Sequence, residues 1–351
     1  MNQAVNIDSL EEHRNSNTLV LNRASTGIYL SLLAWSNSGK ILMPANICYS
    51  PIRVSIEAGY VVNFFNCTNL TYDCMDVVRI ANSDKSIKAI LLPKLYGYEP
   101  KNIEYLNLLD ANRKWLIIED MAQTFGNKFI LNNQSNVSVV TIYSFGESKF
   151  IDNFKAGLLI CDSNQLYEKI SEFYRYIPIL SDELEIEIDK KDEANKLVAR
   201  KSGDWYTYYT QLGKVDSRRF VLKKESQPVP KIYKNIIESK KLNVFNKAEL
   251  FRQKLSNISG VEVPREGDYN KENPVWRFTV LLEEARRNKL ISILRAKSLP
   301  VSSWYQVVPL YLGLVDKKNV YESSLFEKQV INFWVNEQVN TQYIQTVIDN
   351  I

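Results

Sequence analysis

Histidine is almost absent: His13 is the only one in 351 residues, and it lies in a polar N-terminal stretch. Ser-His-Asp and Cys-His catalysis and histidine-based metal sites are therefore poor expectations, and His13 itself reads as a solvated surface residue. The four cysteines, Cys48, Cys67, Cys74 and Cys161, fall at irregular spacings without a C-x-x-C pair. Neither a zinc site nor a disulfide framework is signalled, and reduced thiols fit a cytoplasmic chain. No G-x-G-x-x-G follows a strand-like run and no G-x-x-x-x-G-K-[ST] occurs, which removes the strong nucleotide signatures. Lys and Arg number 44 against 40 acidic residues, and no dense basic run is interleaved with aromatics, so nucleic acid is not an expected partner. The opening MNQAVNIDSLEEHRNSN is polar, and no uninterrupted apolar run approaches the ~20 residues of a membrane span. The expectation is a cytoplasmic chain with no membrane partner.

What is present is an alternation. Apolar runs at residues 41–43, 61–65, 89–92, 115–118, 139–145 and 158–161 read as strands. Helical patterns at 52–58, 76–81 and 103–109 fall between them, after a first helix near 25–35 for which Ser25 is a plausible N-cap. Strand, helix, strand at this spacing predicts an α/β fold with a mostly parallel central sheet flanked by helices. Residues 177–228 carry a charged stretch, DELEIEIDKKDEANK, then WYTYY and VDSRRFVLKK, and no element is assigned there; the charge run reads as a solvated face. One long helix, or two, over 232–258, strands at 261–263 and 276–282, and helices at 283–297 and 340–351 predict a smaller C-terminal α+β domain. The expected division is a large domain at 1–228 and a linking helix with the small domain at 229–351.

Two of the strands end in chemistry. The run at 115–118 closes with Glu119 and Asp120, and the run at 139–145 is followed by Ser148 and Lys149. Open parallel sheets bind ligands outside the carboxyl ends of their strands, so an acid and a lysine at two such ends can converge on one crevice. That pairing suits pyridoxal 5'-phosphate. A lysine would form the imine, and a carboxylate would keep the pyridine nitrogen protonated so that the ring withdraws electrons. Ala24 and Ser25 at a helix start, with the Ser144 hydroxyl, would hold the phosphate, and Gln123 would reach the phenolic oxygen. Lys149, once displaced, would carry the proton between carbon positions.

In two motifs the sequence resembles the DegT/DnrJ/EryC1/StrS sugar aminotransferases, which have the aspartate-aminotransferase fold type of pyridoxal phosphate enzymes. They are I-I-E-D-M-A-Q-T-F-G at 117–126 and S-F-G-E-S-K at 144–149. Supporting matches are M-P-A-N-I-C at 43–48, L-Y-G at 95–97, W-Y followed by P-L-Y at 304–311, and F-W-V-N at 333–336. The resemblance implies Lys149 and Asp120 as catalytic residues and Ala24, Ser25, Asp120, Gln123, Ser144 and Lys149 as cofactor-binding residues. It implies transfer of an amino group from glutamate to a nucleotide-linked keto sugar, for surface polysaccharide or related sugars, by a homodimer. A lyase or dehydratase using the same cofactor, or a non-catalytic binding partner, is the alternative; sugar dehydratases of this type replace the imine lysine with histidine. The sequence departs from the family at Cys48 or Tyr49, where an aromatic ring commonly stacks on the cofactor. It also departs at Lys94, where histidine is frequent, and at Asn66, where aspartate is. Arg218 and Arg219 are candidates for residues given to a partner subunit.

Overall fold

A computed structural model of the chain describes residues 5–6, 17–126, 135–146, 148–151, 156–202, 204–212, 223–224, 231–232 and 234–351. Seven strands form one sheet: β1 (Asn17–Leu21), β2 (Gly39–Pro44), β3 (Tyr60–Phe65), β4 (Ile87–Pro93), β5 (Trp115–Asp120), β6 (Val137–Ser144) and β7 (Gly157–Cys161). Their spatial order is β1-β7-β6-β5-β4-β2-β3. The five strands from β6 to β3 are mutually parallel, and β7 runs antiparallel to both β6 and β1. Between them run helices α1 (Ala24–Trp35), α2 (Tyr49–Glu57) and α3 (Cys74–Ser83). The 103–109 segment, expected as an α-helix, is instead a 3-10 segment, Ile103–Leu108, entered through Asn102 in the left-handed region (φ 54°). Six residues hold fewer than two α-turns, and short runs of this kind commonly close with the tighter i→i+3 pattern.

The strands are apolar on both faces because both faces are covered. In β5, Leu116 and Ile118 join the core packed under α1 and α2, whereas Trp115 and Ile117 join the core shared with α3 and the C-terminal region. All four are essentially inaccessible, and burying each such side chain contributes about 1.5–3 kcal/mol. The same parity settles which acid is which. Asp120 leaves the sheet on the side of Leu116 and Ile118, while Glu119 goes to the opposite face, where it accepts from Thr141 Oγ1 at 2.7 Å.

The region without assigned elements is largely helical. After α4 (Asn164–Tyr176), α5 (Asp182–Ser202) spans the charged run, and α6 (Trp205–Leu212) carries WYTYY. Alternating charges conceal an amphipathic α5: Glu185, Ile188 and Ala199 are buried while most of the remaining described residues are exposed. On α6, Trp205 lies edge-on to Trp304 (5.6 Å between centroids), and Tyr209 stacks on Tyr311 (5.7 Å). The two aromatic stretches of the sequence thus pack on one another.

Beyond residue 234 the chain forms α7 (Lys234–Leu255), β8 (Val261–Glu262), β9 (Phe278–Leu282), α8 (Glu284–Ala296), β10 (Val301–Ser302), α9 (Val308–Tyr311), α10 (Tyr321–Gln329), β11 (Val330–Phe333) and α11 (Thr341–Asn350). The four strands make an antiparallel sheet in the order β8-β9-β11-β10. Strand β11 and helix α10 were not legible as separate elements in the sequence. Phe251 of α7 stacks on Phe278 and Phe333, each at 5.3 Å, and so packs α7 against this sheet.

Candidate active site

The carboxyl edge of the large sheet assembles the site by register. Asp120 ends β5 opposite Ile142 of β6. Two residues further along β6, Ser144 pairs with Gly157, and Gly157 pairs with Leu21 across β1. Because α1 starts three residues after Leu21, the register alone sets Ser144 beside the helix start. Gly157 makes that approach possible: a Cβ there would lie 2.7 Å from the Ala24 amide nitrogen and 2.7 Å from the Arg23 carbonyl carbon. Gly157→Ala is expected to push α1 from the sheet, at a cost of about 1–3 kcal/mol. Thermal melting should show it, together with weakened uptake of pyridoxal phosphate; an unchanged midpoint and unchanged uptake would refute the role.

Ser25 does not cap α1. The N-cap is Arg23, extended at φ −148° and ψ 149°, and its side chain makes no capping hydrogen bond. Arg23 instead pairs with Glu185 of α5. Ser25 lies within the first turn and is buried. A helix start with no side-chain cap presents its backbone N–H groups and the positive end of its dipole to an anion.

Asp120 is held on both sides of its strand end. Its carbonyl accepts from the Lys94 amide at 3.1 Å, and Met121 N–H donates to the Ile142 carbonyl at 2.8 Å. Its Oδ1 accepts from the Ala122 amide at 2.9 Å. Burial pushes its carboxyl above the ordinary range, opposed by the Ala122 N–H and by Lys149. Lys149 is partly buried, and its own amine is depressed, chiefly by burial and further by Arg277 and Lys196, against the pull of Asp120. The acid and the lysine sense one another.

Gln123 is buried, and its Oε1 accepts from the Tyr96 amide at 2.7 Å. Sequence reasoning had no role for Tyr96, although it sits in the L-Y-G match. Its φ is 58° and that of Gly97 is 94°. The backbone is held there by Gln123 on one side and on the other by Trp276, whose N–H donates to the Tyr96 carbonyl at 2.7 Å. The Tyr96 hydroxyl donates to the Trp304 carbonyl at 2.6 Å and accepts from Tyr305 N–H at 3.0 Å. Tyr96 thus fastens the C-terminal region to the edge of the large sheet. A Cβ on Gly97 would lie 2.7 Å from the Pro274 carbonyl oxygen, so the strained turn also needs the close approach that only glycine allows.

Of the two candidates for ring stacking, Tyr49 points away, its hydroxyl donating to the Leu212 carbonyl of α6 at 3.4 Å. Cys48 faces the site: its thiol, raised chiefly by burial, senses both Lys149 and Asp120. Lys94 is buried and pairs with Glu99 at 2.6 Å, and Asn66 accepts from Ser323 N–H at 3.1 Å. Arg218, Arg219 and His13 lie outside the described residues.

A model of the DegT/DnrJ/EryC1/StrS aminotransferase family matches residues 9–177. Over this stretch, somewhat under half of the chain, the sequence is similar to that family. A GDP-perosamine synthase of Escherichia coli O157:H7 is 24% identical over 156 residues, 44% of this chain and 42% of the relative. The chain therefore matches about two fifths of the length of that curated relative. Among solved structures, DesV of S. venezuelae, crystallised in complex with a ketimine intermediate, superposes with TM-score 0.67 at 17% identity, covering 95% of this chain and 83% of its own. PseC of Helicobacter pylori, an aminotransferase involved in the biosynthesis of pseudoaminic acid, gives TM-score 0.67 at 13% identity, covering 95% and 85%. These likenesses establish the fold, a large mostly parallel sheet flanked by helices with a small antiparallel sheet in the C-terminal region.

The family implies pyridoxal 5'-phosphate, and the residues present fit it. A carboxylate is buried at a strand end, a depressed lysine amine faces it, an uncapped helix start lies beside a serine hydroxyl, and glycine stands where a side chain would push that helix away. Asp120 would hold the ring nitrogen, Lys149 the reactive carbon and Gln123 the phenolic oxygen. Ser144 with the Ala24–Ser25 backbone would hold the phosphate.

Proposed function

We propose that this chain is a pyridoxal phosphate-dependent aminotransferase that moves an amino group from an amino acid, glutamate, to a nucleotide-linked keto sugar. We further propose that it works as a homodimer in the synthesis of surface polysaccharide or related sugars. What supports this reading is that Asp120, at the end of β5, and Lys149 influence one another's protonation, while strand register brings Ser144 beside the start of α1. The names of the relatives point to sugars as the class of acceptor.

When bound, the cofactor supplies a pyridinium ring that draws electrons from the reacting carbon. Asp120, anchored through Ala122 N–H, would hold the proton at the ring nitrogen. Lys149 Nζ, depressed chiefly by burial, spends more of its time as the free amine than an exposed lysine would, which suits both nucleophilic attack and proton transfer. Gln123 keeps its Oε1 on the Tyr96 amide, so its Nε2 is the group that would donate to the phenolic oxygen.

The test is spectroscopic. Protein treated with pyridoxal phosphate should acquire a visible absorption band, glutamate should bleach it, and a panel of nucleotide-linked keto sugars should restore it. Colourless wild-type protein, or a band that persists with every amino donor, would sink the reading. Size-exclusion chromatography with light scattering should return a dimer.

A further inference from the structure

Tyr305 is only 5% exposed, yet among the described residues its hydroxyl has no hydrogen-bond partner. Every other buried tyrosine in the described residues has one. Tyr72 donates to the Pro93 carbonyl at 3.0 Å and Tyr343 to the Pro300 carbonyl at 2.7 Å, while the Tyr98 hydroxyl accepts from Thr279 N–H at 3.0 Å. Nor is the Tyr305 oxygen sealed in the core, as the unpaired Thr71 hydroxyl is. A polar group carried on a buried side chain, unpaired and open to a space, is a donor kept for something that enters.

The ring is fixed from several sides. Its plane lies within 15° of Trp276 at 6.3 Å and within 23° of Tyr96 at 6.1 Å. Its backbone N–H donates to the Tyr96 hydroxyl at 3.0 Å, and its carbonyl accepts from Asn46 Nδ2 at 3.1 Å. Trp276 leads on to the lysine: Lys149 Nζ is 5.2 Å from the centroid of that ring, and Trp276 Nε1 donates to the Ser148 carbonyl at 2.6 Å. Arg277 follows, its Cζ 3.9 Å from the Trp276 centroid and 3.6 Å from that of Trp334, with Nη1 donating to Ser302 Oγ at 2.7 Å. Cys48, Asp120 and Arg277 act on both the Tyr305 phenol and the Lys149 amine, so the two groups face one space. Burial, helped by Cys48 and Asp120 and opposed by Arg277, pushes the phenol well above the ordinary tyrosine range, and it stays an O–H donor at working pH.

We propose that the Tyr305 hydroxyl donates to the oxygen of the reacting carbonyl in both half-reactions, that of the keto acceptor and that of the keto acid formed from the donor. The assignment rests on the aminotransferase reading. Asp120, Gln123, Ser144 and the start of α1 are already given to the polar groups of the cofactor, so a further fixed donor beside Lys149 is left for the substrates. Donor and acceptor share one such group. Each passes through a carbonyl at the carbon that carries the nitrogen, and that oxygen must lie next to the lysine in both. It is neutral in the free keto compound and gains negative charge as nitrogen adds, so a neutral donor held in place serves it without the cost of burying another charge. Tyr305 stands in the W-Y match of the sequence, where nothing local distinguishes an unspent hydroxyl from a paired one.

Tyr305→Phe keeps the ring and removes only the hydroxyl. Without cofactor it should melt no lower than wild type, since no bond within the protein is lost. Treated with pyridoxal phosphate it should acquire the same visible band, and in single turnovers the loss of that band with glutamate and its return with a keto sugar should each slow by about 100-fold. Calorimetry on the same treated proteins reads the contact without turnover. The keto acid left by glutamate, 2-oxoglutarate, should bind the variant about three- to tenfold more weakly, whereas glutarate, the same diacid without the keto oxygen, should bind both proteins alike. A variant that melts below wild type would show that the hydroxyl is spent within the protein, and would overturn the proposal. So would half-reactions that both match wild type. Slowing of the sugar step alone would place the hydroxyl on another part of the sugar and overturn it as well. A colourless wild type would sink the aminotransferase reading alone, and the two diacids would then decide: weakening confined to 2-oxoglutarate keeps the hydroxyl on the carbonyl, and equal binding to the two proteins, or none, removes it.

Discussion

Lys149→Ala should give a folded protein that stays colourless with pyridoxal phosphate and transfers no amino group, its rate lower by about four orders of magnitude or more. Lys149 Nζ is the only primary amine given both the covalent and the proton-carrying role, so truncation removes two functions at once. Folding should survive. A buried lysine whose amine is depressed binds fewer protons in the folded state than in the unfolded one, so its protonation opposes folding as pH falls from the ordinary lysine value of 10.5 toward the depressed folded value. Removing it takes that cost away, and the cofactor-free variant should melt no lower than wild type near neutral pH. In wild type the same depression predicts that cofactor attachment, followed by stopped-flow absorbance, reaches half its limiting rate below pH 10.5. A midpoint at or above the ordinary lysine value would remove the free-amine argument, and a coloured, active alanine variant would remove Lys149 from the chemistry altogether.

Asp120→Asn should separate stability from function with opposite signs. Asn Oδ1 can still accept from Ala122 N–H, which the carboxylate does at 2.9 Å. The carboxyl of Asp120 is raised chiefly by burial. A group whose folded value lies above its unfolded value contributes stability at low pH that is lost as pH rises through the folded value. At neutral pH the ionised carboxylate therefore costs the cofactor-free protein stability, and the amide removes that cost. The expected result is a melting temperature equal to or above that of wild type. The visible band should still form, because Lys149 is intact, yet transfer should slow by about 10²–10⁴-fold, since an amide does not keep the ring nitrogen protonated. Comparing single-turnover rates with the melting curve reads both effects. A variant that loses stability together with activity would make Asp120 a structural residue rather than a tuned acid.

Much of the site was legible because its residues lie on contiguous, short-range patterns. Asp120 and Gln123 sit three residues apart after an apolar strand, and Ser144 and Lys149 five apart after another, so local order announced them. Arg277 and Tyr96 were not legible in the same way. Each acts through partners far along the chain: Trp334, Ser302 and Lys149 for the arginine, Gln123, Trp276 and Trp304 for the tyrosine. Single positions on strands or turns carry no mark of such distant contacts. Helices α5 and α6 were missed for another reason. Their polar and aromatic residues lack a clean apolar period, and α6 packs edge-on to Trp304 and stacks on Tyr311, about a hundred residues away.

By itself the sequence determined the strand-helix alternation, the two-faced burial of strands such as β5, and the acid and lysine at two strand ends, since side-chain periodicity and strand polarity are local properties. Only the tertiary structure decided that Asp120 rather than Glu119 shares a face with α1 and α2. It also left the start of α1 uncapped against Gly157, turned Cys48 rather than Tyr49 toward the lysine, and set a clamped arginine beside it. Those facts depend on register between strands distant in sequence and on which ring reaches which cation, and both are fixed only when the sheets close on their shared cores.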